Sequence, residues 1–318
     1  MAAIPIWKDK IVALATSAID FRITADGVVI YSGRAYIKPG ETYANARING
    51  ICADYLTHVL PTLTDRTFTS FNLHTFVVQV KSGNSWVNQT SVQFYPDWSY
   101  DYGFSGNNIS APINGRVDSR MSILASIVNK SSPITANYRK TDGTTTARSI
   151  SFSPSPGSGT GAFKANAVAN VNRITINSVN YYIVTDCAKY ALYYVNSYGG
   201  WDQFLIEGND MELDEITRYI QEVEYDNNTI SARGMVNYVN EVNKSWTLNS
   251  GLLNDDQASR MHHLINSPLV YLCHISSGDM IPVTMKTNTC EYKTFSNQGN
   301  RMVNYTMQVE LAQNRIRR

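Results

Sequence analysis

The last third of the chain constrains the fold most. Tyr190 to Asn196 is a run of tyrosine, leucine and valine, followed by a Gly199-Gly200 turn and a second apolar run, Trp201 to Gly208. Strand-like text continues to one helical pattern over 254–267, and two more strand runs lead to the basic end Arg315-Ile316-Arg317-Arg318. Asn254 or Asp255 caps the helix, Ala258, Met261, His262, Leu264 and Ile265 form its apolar face, and Pro268 stops it. After it, alternation at Val303, Tyr305, Met307, Val309 and Leu311 sends one face to a core and the other to solvent or a partner. Strands on both sides of a lone helix predict a β-barrel or sandwich with one packed α-helix. No grouping of side chains in this stretch points to chemistry, so a building block is expected and not an enzyme.

The preceding text is also strand vocabulary. Ile19 to Ile23 alternates, and Asp26-Gly27 turns the chain into Val28 to Tyr31, a hairpin signal. Ile51, Tyr55 and Leu56 give roughly helical spacing within 48–60, ended by Pro61. Long extended segments at 68–80 and 86–95 flank Ser82-Gly83-Asn84, and shorter strands at 121–128, 134–139, 145–152 and 173–179 include an Asp142-Gly143 turn. Such spacing suggests an immunoglobulin-like sandwich. The expected class is therefore mainly β and multidomain. A small β-rich domain with a short helix (1–65) precedes a β-sandwich-like domain (66–180) and a β-barrel domain with the helix (181–318).

Glycines also punctuate Ser153-Pro154-Ser155-Pro156-Gly157-Ser158-Gly159-Thr160-Gly161. A phosphate loop would end in Gly-Lys-Ser/Thr, whereas Ala162-Phe163 follows here, so the segment is expected to be a flexible strand connection.

Charged residues are only 17% of the chain, against about 25% in ordinary soluble domains. The formal net charge is +1, so no long-range field favours nucleic acid or an anionic membrane. Ile11 to Ala15 is the only apolar run in the first twenty residues. Charged and hydroxyl residues flank it, the pattern of neither a secretion signal nor a membrane span. Assembly in a cytoplasm is expected. Four cysteines, Cys52, Cys187, Cys273 and Cys290, are too dispersed for a disulfide framework, and the spacing leaves open whether Cys273 and Cys290 bond.

The search for chemistry is short. His262, His263, Cys273, His274 and Cys290 are the only metal-type cluster, but neighbours on a helix or strand point apart, and three ligands at most converge. No metal or other cofactor is expected. Asp255-Asp256 fits a helix N-terminus, and Glu212, Asp214 and Glu215 have no evident cleft. The loop from Tyr95 to Phe104 carries Trp98, Tyr100, Tyr102 and Phe104 among Asp and Ser. Such rings serve as interface anchors or as sugar-stacking platforms. Arg315, Arg317 and Arg318 form the only basic cluster, either a solvated tail or a contact to a neighbouring subunit.

Several runs carry a family resemblance. They are Tyr193-Tyr194-Val195-Asn196-Ser197-Tyr198-Gly199-Gly200-Trp201-Asp202, Trp246 to Leu253, Glu291 to Phe295 and Tyr305 to Glu310, with Ser32 to Tyr36 and Asn49 to Leu56 earlier. The sequence resembles tail proteins of bacteriophages infecting Bacteroidetes, the crAss-like phages. The resemblance implies a structural virion protein of the tail, a hub or distal-tail ring component with a β-barrel carrying one helix. It implies a ring of copies of itself and contacts to other hub, ring or fibre proteins, without catalytic residues. The second expectation is a carbohydrate-binding or adhesion module that uses the aromatic loop at the host surface.

Overall fold

A computed structural model of the chain describes residues 3–6, 10–95, 97, 107–153, 155–185, 188–222, 235–287, 303–313 and 315–317. The protein is mainly β, with 58% of the described residues in strands and 7% helical. The chain opens with β1 (Ala3–Pro5), β2 (Ile11–Ala15), β3 (Ile19–Ala25), β4 (Val28–Ala35), β5 (Ala44–Arg47) and the short helix α1 (Asn49–Ala53). Next come β6 (Thr67–Ser70), β7 (Thr75–Ser82), β8 (Ser85–Tyr95), β9 (Gly115–Asp118), β10 (Ser122–Lys130), β11 (Ile134–Lys140) and β12 (Thr145–Ile150). They are followed by β13 (Gly157–Lys164), β14 (Val171–Ile176), β15 (Val179–Val184), β16 (Tyr190–Val195), β17 (Trp201–Leu205), β18 (Met211–Glu222) and β19 (Met235–Asn249). Helix α2 (Asp255–Ile265), β20 (Val270–His274), β21 (Met280–Met285), β22 (Thr306–Leu311) and β23 (Arg315–Arg317) complete the order.

These elements form two compact units, each assembled from separate stretches of chain. One comprises Met1–Pro112, Ser122–Val179 and Val195–Asp202, and the other Ile113–Met121, Asn180–Tyr194 and Gln203–Arg318.

In the first unit a five-stranded sheet runs β1-β8-β7-β3-β4, with β1 parallel to β8. Asp26 (φ 48°) and Gly27 (φ 89°) both take left-handed geometry, the turn that matches the twist of a two-residue hairpin. Phe21, Ile23, Phe76, Val78 and Phe94 bury one face of this sheet, with Ile48 and Cys52 from the α1 region. The helical spacing read as far as residue 60 yields only Asn49–Ala53. Tyr55 is exposed, so the pattern lacks the buried face that would hold a longer helix.

A three-stranded sheet, β10-β13-β6, corrects the reading of the glycine-rich segment. The run Gly157–Lys164 is not a flexible connection but the central strand. A Cβ at Gly159 would sit 2.3 Å from the Thr69 carbonyl oxygen, and one at Gly161 would touch Ile134 and Ile150. Glycine is used here for close backbone approach. Strand β11 pairs antiparallel with β12 and β14, with a register shift after Arg139 on the β14 side, and β2 pairs antiparallel with β5.

In the second unit, β15 and β9 pair in parallel. The main sheet runs β17-β16-β20-β21-β22-β19-β18, with β23 on β19. Its core gathers Leu192, Tyr194, Phe204, Trp246, Leu248, Leu272 and Val309 with Met261 and Leu264 of α2. Met307, Val309 and Leu311 are buried, as their alternation requires. The helix begins where the sequence places it. Asn254 accepts from the Gln257 amide N–H, and the Gln257 side chain accepts from the Asn254 N–H, a reciprocal capping box. Among the described residues this sheet does not close into a barrel: β17 lies at one end of the order and β18 at the other. No described helix is long and apolar enough to cross a membrane.

Candidate interaction surface

Among the described residues the longest hairpin is β18–β19, and its outer part lacks the cover that the base has. At the base, Trp246 and Leu248 of β19 lie in the core, and β22 pairs with β19 from Ser245 to Asn249. Further out β23 replaces β22, pairing over Asn240 to Val242. Beyond that, Met235 to Val239 face only β18 among the described residues.

Register assigns the faces of this arm. Directly opposed residues share a face, so Asp214–Lys244, Ile216–Val242 and Ile220–Asn237 extend the face on which Trp246 is buried. Met211, Leu213, Glu215 and Tyr219 occupy the other face, opposite Thr247, Ser245, Asn243 and Val239. A bulge follows, with Tyr238 as the extra residue, and bulges increase local twist. The Tyr219 and Tyr238 rings lie 6.3 Å apart across it.

The amino acids do not match their surroundings. Every residue of β18 is exposed. Met211 is 58% exposed, Leu213 55%, Ile220 57% and Met235 62%, and Ile216, Val236 and Tyr238 are exposed as well. Scattered surface apolar residues are ordinary, but a contiguous two-sided set on a long edge strand marks an interaction surface.

Glu212 fixes the root of the arm. Its carboxylate accepts hydrogen bonds from the Tyr190 hydroxyl and from Lys189 Nζ (3.1 Å), and Lys244 Nζ lies 3.2 Å from its second oxygen. The Tyr190 hydroxyl, then the lysines, hold its pKa down to about 2. Lys244 also stands 5.3 Å from the Trp246 ring centroid, which joins the ion cluster to the core.

One cavity among the described residues of this unit is too small for an organic ligand. It holds about 20 Å³ and is lined by Gly115, Arg116, Glu207, Gln257 and Arg260, among others. That is room for a water and not for a sugar or a cofactor. Arg260, buried on α2, donates from Nε and Nη2 to the Ile113 carbonyl (3.0 and 2.7 Å) and from Nη1 to the Gln203 carbonyl (3.1 Å). Its guanidinium lies 5.2 Å from the Tyr181 ring centroid. Arg116 Nη1 pairs with Glu207 at 2.7 Å. Burial pushes the Glu207 carboxyl up, and Arg116 opposes the shift. These contacts clamp the helix to the strands, while Glu207 Oε1 is buried without a hydrogen-bond partner among the described residues.

In the first unit the hairpin tip 195–202 is held by a buried polar network. The Asp202 carboxylate accepts from the Ala111 N–H (2.9 Å) and from Asn196 Nδ2 (2.6 Å), while Asn196 Oδ1 accepts from the Tyr198 and Gly200 amides. Ser126 Oγ accepts from the Trp201 N–H at 2.8 Å and bonds to Thr160 Oγ1. Gly200 is required because a Cβ there would lie 2.4 Å from the Ile109 carbonyl oxygen. The conspicuous Asn-Ser-Tyr-Gly-Gly-Trp-Asp run thus specifies a tip conformation.

The sequence-predicted site residues divide as follows. Trp98, Tyr100, Tyr102, Phe104 and Arg318 lie outside the described residues, as do Cys187 and Cys290. Arg315 and Arg317 belong to β23, where they stand opposite Val242 and Asn240 on β19. Cys273 and Cys52 are both buried, and burial raises the Cys52 thiol to about 12. Among the described residues no group of three or more His, Cys, Asp or Glu side chains is placed to hold a metal. His263 is half-buried, and burial lowers its pKa to about 4. Sequence reasoning missed Gln257 and Arg260 as helix contacts. Their signal was positional, because 257, 260, 261 and 264 fall on one helical stripe. Comparisons with protein-family models and with curated proteins find no match to this chain.

Proposed function

We propose that this protein is a structural subunit of a larger assembly, of the phage-tail kind its sequence resembles, in a tail hub or distal-tail ring. The observation that carries the reading is the β18–β19 arm, with methionine, leucine, isoleucine and tyrosine exposed on both faces of a long edge strand. Such an edge invites another chain to pair with it. The near-neutral charge removes long-range repulsion between copies.

Negative-stain electron microscopy with mass photometry on the purified full chain, alone and with tail proteins of the same virion, tests the reading. Rings or defined complexes are expected. A monodisperse monomer under both conditions would contradict it and direct attention to a glycan array.

A further inference from the structure

The strands at the two edges of the outer arm have sequences of opposite charge. At residues 216–218, 240–242 and 315–317 it is a three-stranded ribbon, β18-β19-β23. Strand β18 carries Glu212, Asp214, Glu215 and Glu222 against one cation, Arg218. Glu212 is already neutralised by two lysines, which leaves three acidic residues along that edge. Strand β23 reads Arg-Ile-Arg, and Arg318 follows in the sequence. Among the described residues, β18 and β23 each pair with β19 alone.

From this ribbon we infer that a second copy of the chain docks on β18 through its own β23, joining copies head to tail. This inference rests on the assembly reading above. Both strands run antiparallel to β19, so β18 of one copy and β23 of the next meet in parallel and the sheet continues across the contact. Two β18 edges facing each other would set acid against acid, which disfavours a two-fold dimer. A contact between unlike edges is heterologous and yields a closed ring or an open filament. The described β23 spans roughly 10 Å, so its backbone ladder is short. Charge attraction and the exposed apolar side chains of β18 supply the rest, and added salt weakens the contact.

The test uses two full-length variants, each lacking one edge. Arg315→Glu/Arg317→Glu reverses β23. Glu215→Lys/Glu222→Lys reverses β18 at positions opposite uncharged Asn243 and Met235. Sedimentation velocity at low salt is run on the wild type, on each variant and on their equimolar mixture, with circular dichroism to confirm folding. The wild type is expected to form oligomers that dissociate with salt. Each variant alone should associate at least about tenfold more weakly. In the mixture the intact edges attract and the two reversed edges are complementary as well, so oligomers like those of the wild type should return. A monomeric wild type at low salt overturns the inference. Wild-type oligomers that both variants reproduce also overturn it, while leaving the assembly reading intact. Failure of the mixture to associate, with both variants folded, overturns the head-to-tail geometry.

Discussion

Strands β13 and β18 invert what their compositions suggest. Strand β13 is Gly-Ser-Gly-Thr-Gly-Ala-Phe-Lys, small and polar, yet it is the buried centre of a sheet. Strand β18 contains Met, Leu, two Ile and Tyr, yet all of it is exposed. Position in the sheet order decides burial in both cases. A central strand with neighbours at van der Waals distance needs small residues, and an edge strand keeps large apolar ones only where something else covers them. On the proposed assembly reading, contacts outside a single copy account for the apolar content of β18.

The sharpest break of this contrast is Gly159→Ala. The added methyl meets the β6 backbone, and a loss of about 3 kcal/mol in stability is expected from overpacking, read by denaturant unfolding. Arg260→Met should cost about 2 kcal/mol, because the Ile113 and Gln203 carbonyls lose charged donors in a buried setting. Glu212→Gln should cost under about 1 kcal/mol, since the carboxylate is over a third exposed and its ion pairs are screened. The pH sign follows from its lowered pKa. The wild-type contribution is complete above about 4.5, the ordinary glutamate value, and fades as pH falls toward about 2. Glu212→Gln should flatten that acid limb in urea titrations. The smallest effect on folding belongs to Leu213→Thr/Ile220→Thr, within about 0.5 kcal/mol because both side chains are exposed. The same double change should reduce self-association, which separates assembly from stability.

Histidine burial adds a second acid-sensitive window. Desolvation lowers His58 and His263 to about 4, so each is neutral when folded and binds a proton more readily when unfolded. Stability should hold above about 6.5 and fall between that value and about 4. His263→Gln should remove part of this slope.

Much of the fold was legible in the sequence. Turn pairs such as Asp26-Gly27 announce their geometry, and the Asn254 to Pro268 helix carries its cap, its apolar stripe and its stop in local text. The glycine strand was not legible, because its need for glycine comes from Thr69, far away in sequence. The interleaved composition of the two units has the same origin, in pairings between distant segments. The arm was half legible. The text around Glu212 reads as strand, but nothing local shows that Leu213 and Ile220 stay uncovered. Arg260 went unread because its carbonyl partners, Ile113 and Gln203, lie far away in sequence.

Hydrogen–deuterium exchange across Met211 to Glu222, at low and at high protein concentration, tests the central claim most directly. If β18 is covered by a neighbour on assembly, its outward-facing amides should gain protection with concentration while β13 remains unchanged. Equal exchange of β18 in monomer and assembly would show that the arm is not the contact and would contradict the account.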